Sequence, residues 1–213
     1  MKNVDQFQPK DLSGDFSKRL LKRLFDLLFS LVTVVFFLSW MFPVLAIMIK
    51  LDSKGPVFFR QLRHGRGNRH FYCYKFRTMV INDEADIKQA TQDDSRVTRI
   101  GKFLRRTSMD ELPQVFNVII GNMSIVGPRP HAVPMNIEFA KEIDNFMVRH
   151  AVKPGITGLA QSKGYRGEIK NFFDIYSRFK LDCFYVRNWC LLLDIKIVIE
   201  TANSLIYNNH KAY

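Results

Sequence analysis

Between Leu27 and Ile49 the chain runs for 23 residues, LLFSLVTVVFFLSWMFPVLAIMI, without one ionisable side chain. At ~1.5 Å per residue, a helix of this length matches the hydrocarbon core of a bilayer. A core helix of a soluble domain would keep a polar stripe, and this run is apolar all round. A cleavable leader would need a shorter run and a small-residue cleavage site, and the following MIKLDSKGP has none. The run therefore predicts a membrane-inserted helix. Its flanks are both basic: Lys18, Arg19, Lys22 and Arg23 before it, Lys50, Lys54, Arg60, Arg63, Arg66 and Arg69 after it. Lys/Arg-rich flanks stay on the cytoplasmic face, so one straight crossing would put a basic flank on the wrong side. Pro43 lacks a donor and clashes with the carbonyl of Ser39. A helix broken near Ser39–Pro43 would dip in and return to the side it came from, with Ser39 bonding a freed backbone group. A kinked crossing helix is the alternative; the flank charge favours re-entry.

The rest of the chain is ordinary globular material, 47% hydrophobic and 24% charged, which excludes wholesale disorder. Three cysteines and no C-x-x-C exclude a zinc framework and fit a reduced, cytosol-facing protein. The net charge of +12 calls for an anionic partner: nucleic acid, an anionic membrane or a phosphorylated substrate. No zinc finger, RNP1 run or basic zipper is present, and with a membrane segment in the chain nucleic acid is set aside. The histidines show no metal-ligand spacing such as H-E-x-x-H. Only His131, beside a Gly-Pro turn, stands in a suggestive place.

The expected organisation is a polar tail at 1–17, an inserted helix at 18–50 and one cytosolic domain at 51–213. Asp26 falls at the head of the apolar run, at the interface, where Arg23 or Lys22 would pair with it. VFFRQLR and HFYCYKFRTM around HGRGN predict a β-hairpin. Residues 82–96 hold the one acidic stretch and read as an exposed helix or loop. LPQVFNVIIG predicts a short helix stopped by Gly121. Two Pro/Gly turns, GPRPHAVP and KPGITG, enclose a helix near 134–149, and the chain from 168 onward is helical and rich in aromatics. The fold class expected is α/β: a re-entrant membrane helix, then a small mixed domain with amphipathic interfacial helices.

Three clusters carry possible chemistry: KFRTM (75–79), RRTSMDELPQ (105–114) and GPRP (127–130). In the second, Ser108-x-x-Glu111 matches a capping box, and Pro113 is tolerated only near a helix start. On that reading Asp110 or Ser108 is an N-cap and the acidic pair is structural. Against it stand Arg99, Lys102, Arg105 and Arg106 just upstream, and Arg129 in a Gly-Pro turn. Arginines about a helix N-terminus make a phosphate site. Two carboxylates there repel phosphate unless a divalent cation bridges them or one of them attacks it. Magnesium suits such ligands, and an aspartate is a known phosphoryl acceptor.

These segments resemble the bacterial sugar transferases, the monotopic phosphoglycosyl transferases. The resemblance runs from about Lys22 to the C-terminus through KRLFDLLFS, GPVFFRQLRHGRG, YKFRTM, SRVTRIGKFLRRTSMDELPQVFNVIIGNMSIVGPRP, VKPGITGLAQ and FYVRNWCLLLDIKI. It implies that a UDP-sugar gives its sugar 1-phosphate to undecaprenyl phosphate, releasing UMP, as the first membrane step of exopolysaccharide, capsule, O-antigen or glycoprotein glycan assembly. By similarity Asp110 is the nucleophile and Glu111 its dyad partner, the two also serving as ligands of Mg2+. Lys75, Arg105 and Arg129, with Arg77 as a weaker candidate, hold the phosphates. The resemblance also implies the bacterial inner membrane, with the domain facing the cytosol, membrane lipid as a partner, and oligomeric state left open. MVRHAVKPGITG and GYRGE look most like members that transfer a hexose 1-phosphate, of which this chain would be the catalytic unit without additional N-terminal transmembrane helices. Three departures stand out: Asn122 in GNMS for an acidic residue, Phe42 for the usual Ser before Pro43, and GLAQSKG for GWAQVNG. The alternative is a non-enzymatic membrane-anchored scaffold for anionic headgroups.

Overall fold

The computed structural model describes residues 16–81, 91, 94–169 and 171–207. The expected polar tail up to residue 15 and most of the acidic stretch lie outside them.

The apolar run is helical from end to end. α1 (Phe16–Thr33) passes through a π-helical turn at Val34–Leu38 into α2 (Ser39–Asp52), making one helix of 37 residues. The expected break between Ser39 and Pro43 is thus replaced by a widened turn just upstream. Ser39 N–H reaches back to Val34 O, and its hydroxyl donates to Val35 O at 2.8 Å. Thr33 Oγ1 does the same for Phe29 O, also at 2.8 Å. Hydroxyl back-bonding and one π turn absorb the misfit that proline introduces, so the helix bends its ladder instead of ending.

Both limbs of this helix rest on the rest of the protein. Arg23 on α1 donates to Val118 O and Ile119 O at 2.6 and 2.7 Å, the last carbonyls of α4 (Gln114–Ile120). On α2, Leu45 and Ile49 pack with Phe76 and Leu104, and the Phe42 ring lies 5.0 Å from Phe76 and 5.5 Å from Phe116 of α4. Between the limbs, Leu31, Val32, Val35, Phe36, Phe37 and Trp40 are exposed.

Asp26 departs from the interfacial position expected for it. It is 2% exposed and accepts from Ser124 Oγ at 2.9 Å, from Ile125 N at 3.0 Å and from Lys22 at 3.2 Å. Lys22 continues to Asp194 at 2.8 Å, which Tyr185 and Trp189 also bond at 2.8 and 3.1 Å. A buried carboxylate persists only with such company.

The hairpin forms as expected. β1 (Phe58–His64) and β2 (His70–Phe76) pair antiparallel, Phe58 opposite Phe76 and His64 opposite His70. Alternation along β2 turns Phe71 and Cys73 into the main core, with Lys75 on the same face, while Phe76 turns to α2. The free edge of β2 is closed by one side chain: Asn117 accepts from Tyr74 N at 3.0 Å and donates to Tyr72 O at 2.7 Å.

After α3 (Arg99–Arg106) and α4, Gly121 stops the helix at φ 100°, as its position predicts. β3 (Ser124–Val126) then pairs in parallel with β4 (Gly155–Thr157). Gly127 and Gly155 allow this approach, since a Cβ on Gly155 would lie 2.1 Å from Gly127 N. Between the two strands run α5 (Val133–Glu142) and a 3-10 segment, Phe146–Ala151, where one helix was expected. α6 (Leu159–Ser162), α7 (Phe172–Arg187) and α8 (Leu191–Tyr207) complete the fold. The result is mixed α/β with two small sheets.

Candidate active site

α3 ends at Arg106, and the chain reverses at Ser108, whose φ of 57° is left-handed. Met109–Glu111 form one 3-10 turn, and α4 begins only after Pro113. The capping box is not formed: Ser108 makes no side-chain cap bond, and Pro113 occupies the cap position of α4. Proline at that point has no N–H to satisfy and fixes φ for a helix start. The acidic pair is therefore held ahead of the helix, with its carboxylates directed elsewhere.

Glu111 is clamped. Lys75 Nζ donates to Oε1 at 2.7 Å, and Arg129 donates from NH2 to Oε1 at 2.6 Å and from NH1 to Oε2 at 3.0 Å. Burial alone would raise its pKa, but Arg129 and Lys75 outweigh burial and hold it well below the usual carboxylate range. Glu111 in turn raises the pKa of Arg129. Asp110, 9% exposed, has the looser arrangement, with Lys75 Nζ 3.9 Å from its Oδ2. Burial pushes its carboxyl upward, Lys75, Arg105 and Arg129 pull it down, and the Glu111 charge pushes it up again; the net shift is upward. Two adjacent carboxyl groups are thus driven apart in proton affinity, the mark of a pair with divided roles.

The other expected residues divide. Lys75 and Arg129 meet at the dyad. Arg105 lies beside it, its charge acting on Asp110 and its Nε bonded to Thr78 Oγ1 at 2.9 Å. Arg77 is not brought there. Its guanidinium is buried among acceptors at the end of α2: Ser53 O at 2.6 Å, Ser53 Oγ and Lys54 O at 3.0 Å, and Ile49 O at 3.3 Å. His131 is buried too, with Nδ1 2.8 Å from Arg149 NH1, and burial followed by the nearby arginines keeps it neutral.

Sequence reasoning missed the residues that hold the Arg129 turn. Fully buried Arg149 donates to Arg129 O at 2.7 Å and pairs with Asp182 at 2.6 Å. Arg63 donates to Pro130 O. Nothing in local spacing marks them, because each acts across at least 20 residues of chain.

Oxygen donors from two neighbouring carboxylates suit magnesium. Among the described residues, no group of three His, Cys, Asp or Glu side chains gathers to hold a metal. Magnesium commonly takes only one or two carboxylates, with phosphate oxygens and water as its remaining ligands. Asp110 and Glu111 fit that share.

Comparison with known proteins bears on this geometry. The family model described as bacterial sugar transferase matches residues 17–208. The chain is 54% identical over 160 residues to the UDP-glucose:undecaprenyl-phosphate glucose-1-phosphate transferase of Xanthomonas campestris pv. campestris, covering 74% of this chain and 33% of that protein. It is 47% identical over 182 residues to the protein of the same name from Klebsiella pneumoniae, covering 85% and 39%. Its identity to the exopolysaccharide production protein PSS of Rhizobium leguminosarum bv. phaseoli is 40% over 190 residues, covering 87% and 94%. The chain thus matches only a third to two fifths of the length of the first two relatives.

Proposed function

The chain belongs to the bacterial sugar transferase family, and from that premise we propose that it moves a sugar 1-phosphate from a UDP-sugar to undecaprenyl phosphate, giving undecaprenyl-diphosphate-sugar and UMP. A hexose is favoured, and UDP-glucose is the first donor to test, since the X. campestris and K. pneumoniae relatives are named for it. The observation that carries the reading is the split dyad: Glu111 anionic under two cations, Asp110 beside it buried and more basic.

Asp110 attacks the phosphorus that bears the sugar. The bond from that phosphorus to the bridging oxygen breaks, and UMP leaves with the oxygen and its electron pair. An oxygen of undecaprenyl phosphate then attacks the same phosphorus, and the Asp110 carboxylate is released. Glu111 keeps Arg129 and Lys75 in place beside the reacting phosphorus, where their charge offsets that of the substrate phosphates. Magnesium, held by Asp110 and Glu111, would supply further neutralisation of phosphate charge.

Re-entry of the membrane helix is part of the proposal. Its support is that Arg23 and Phe42 both contact α4, a helix only ~10 Å long at 1.5 Å per residue. The stretch between them carries exposed apolar side chains from Leu28 to Trp40 and no charge after Asp26, so it is the part to enter the bilayer from the cytosolic side. The location follows as the bacterial inner membrane.

The test is UMP release from UDP-glucose and undecaprenyl phosphate in detergent, together with formation of a labelled protein adduct when the lipid is omitted. Adduct that disappears in Asp110→Asn is the expected result. A folded protein that releases no UMP with any UDP-hexose would leave the scaffold reading in its place.

A further inference from the structure

β3 and β4 run parallel, so their carboxyl ends open on one side, and the crevice beyond such ends is where ligands collect in parallel sheets. From β3 the chain passes through Gly127 and Pro128 to Arg129. From β4 it passes through Gly158 into α6 and returns by a loop to Arg166. The two exits touch: Gly127 N donates to Thr157 O at 2.9 Å, and a Cβ on Gly158 would lie 2.2 Å from Gly127 O.

Arg166 is held in place by its own loop and by α7. Its Nε donates to Gln161 O at 3.2 Å. Buried Arg178 donates to the carbonyls of Arg166, Gly167 and Glu168 at 3.5, 3.2 and 3.5 Å. Gly164 and Gly167, at φ 87° and 81°, permit the reversal on either side. Burial lowers the pKa of Arg166, Arg129 lowers it further, and Glu111 opposes both. Arg129 and Glu111 act on both Asp110 and Arg166, so these four charged groups share one neighbourhood. Lys75 and Arg129 already direct donors to Glu111. Among the described residues, the terminal nitrogens of Arg166 have no protein acceptor.

Resting on the sugar-phosphate transfer reading, the geometry points to Arg166, on the exit that meets the Arg129 turn, as the donor that holds the nucleotide-side phosphate of the UDP-sugar. That phosphate departs with UMP, so Arg166 binds substrate and product alike and takes the charge that develops on the leaving oxygen's phosphate.

The experiment compares UMP with uridine binding to the full chain in detergent by calorimetry, without turnover. One charge-assisted phosphate contact corresponds to roughly ten- to hundred-fold in affinity. The wild-type protein is expected to prefer UMP, and Arg166→Gln to reduce that preference by about tenfold or more at unchanged melting temperature. Arg166→Lys, which keeps the charge and loses the fork, should fall between them; it replaces the Gln variant as the reading if that one does not fold. In turnover, KM for the UDP-sugar should rise in Arg166→Gln while KM for the lipid stays. An intact UMP preference in the folded variant, or no preference in the wild type, overturns the assignment. Failure of the wild type to release UMP would instead overturn the transfer reading, and the UMP-to-uridine ratio would still decide on Arg166.

Discussion

Arg129 bonds both carboxylate oxygens of Glu111, at 2.6 and 3.0 Å, and thereby fixes the charge of the residue next to the proposed nucleophile. Glu111 is held anionic well below the usual carboxylate range, and Asp110 is the member of the dyad whose proton affinity is raised.

Asp110→Asn separates chemistry from folding. Under the proposed mechanism, turnover and adduct both vanish. Stability should hold or rise at neutral pH, because a buried carboxyl of raised pKa costs stability once ionised. Thermal melts beside an adduct assay check this. Near-normal turnover in the folded variant would end the covalent mechanism.

The same shift sets a pH dependence. With its pKa raised above the 3.8 of an ordinary aspartate, Asp110 is protonated at pH values where such an aspartate is already ionised. Protonated Asp110 cannot attack, so the rate of adduct formation should climb with pH along a limb lying above 3.8. A limb at or below that value would contradict the assignment.

Arg129→Lys tests the fork. Lysine keeps one charge and loses the two-point contact, and a charged hydrogen bond is worth ~1.5–3 kcal/mol. We expect kcat/KM to fall by roughly tenfold or more. Full activity in the lysine variant would show that charge alone suffices.

Arg77→Gln should behave oppositely. Ser53 O, Ser53 Oγ and Lys54 O at the end of α2 lose the Arg77 donor, each at about 1–3 kcal/mol if left buried and unpaired, while Ile49 O keeps Ser53 N–H. The melting temperature should drop by several degrees, with KM for the UDP-sugar unchanged in the folded fraction. A raised KM at unchanged stability would return Arg77 to the phosphate site.

Topology is checked by labelling cysteines placed at Lys18 and Lys54, after replacing half-exposed Cys183 and exposed Cys190. Re-entry requires both to react from the same side of sealed vesicles. Labelling from opposite sides means a crossing helix.

Much of this was legible in the chain because it depends on neighbours. The hairpin lies where β-rich runs flank HGRGN, and Gly121 ends a helix as a left-handed cap must. The approach of Lys75 and Arg129 to the acidic pair could be expected from a resemblance only, since nothing local joins positions 75, 111 and 129. Arg77, the weaker candidate from the resemblance, shows how the end of a strand redirects a side chain. It is two residues from Lys75, and strand alternation would put both on one face, but β2 ends at Phe76 and Arg77 turns toward α2. The capping-box pattern failed for a similar reason: Ser108 took a left-handed conformation, and the helix started five residues later than the motif implies. The π turn lies just upstream of Pro43 and has no signature of its own in the sequence.

The amide of Asn117 imitates one peptide of a third strand. A two-stranded ribbon alone is marginal in water, so the hairpin reaches its register together with the helix that lends the amide. Lys75 rides on that hairpin, and the dyad immediately precedes that helix. Assembly of the hairpin and formation of the Asp110–Glu111 environment are therefore one cooperative event. Until it occurs, Asp110 is an ordinary solvated aspartate, and under the proposed mechanism a nascent or partly unfolded chain carries no activated nucleophile.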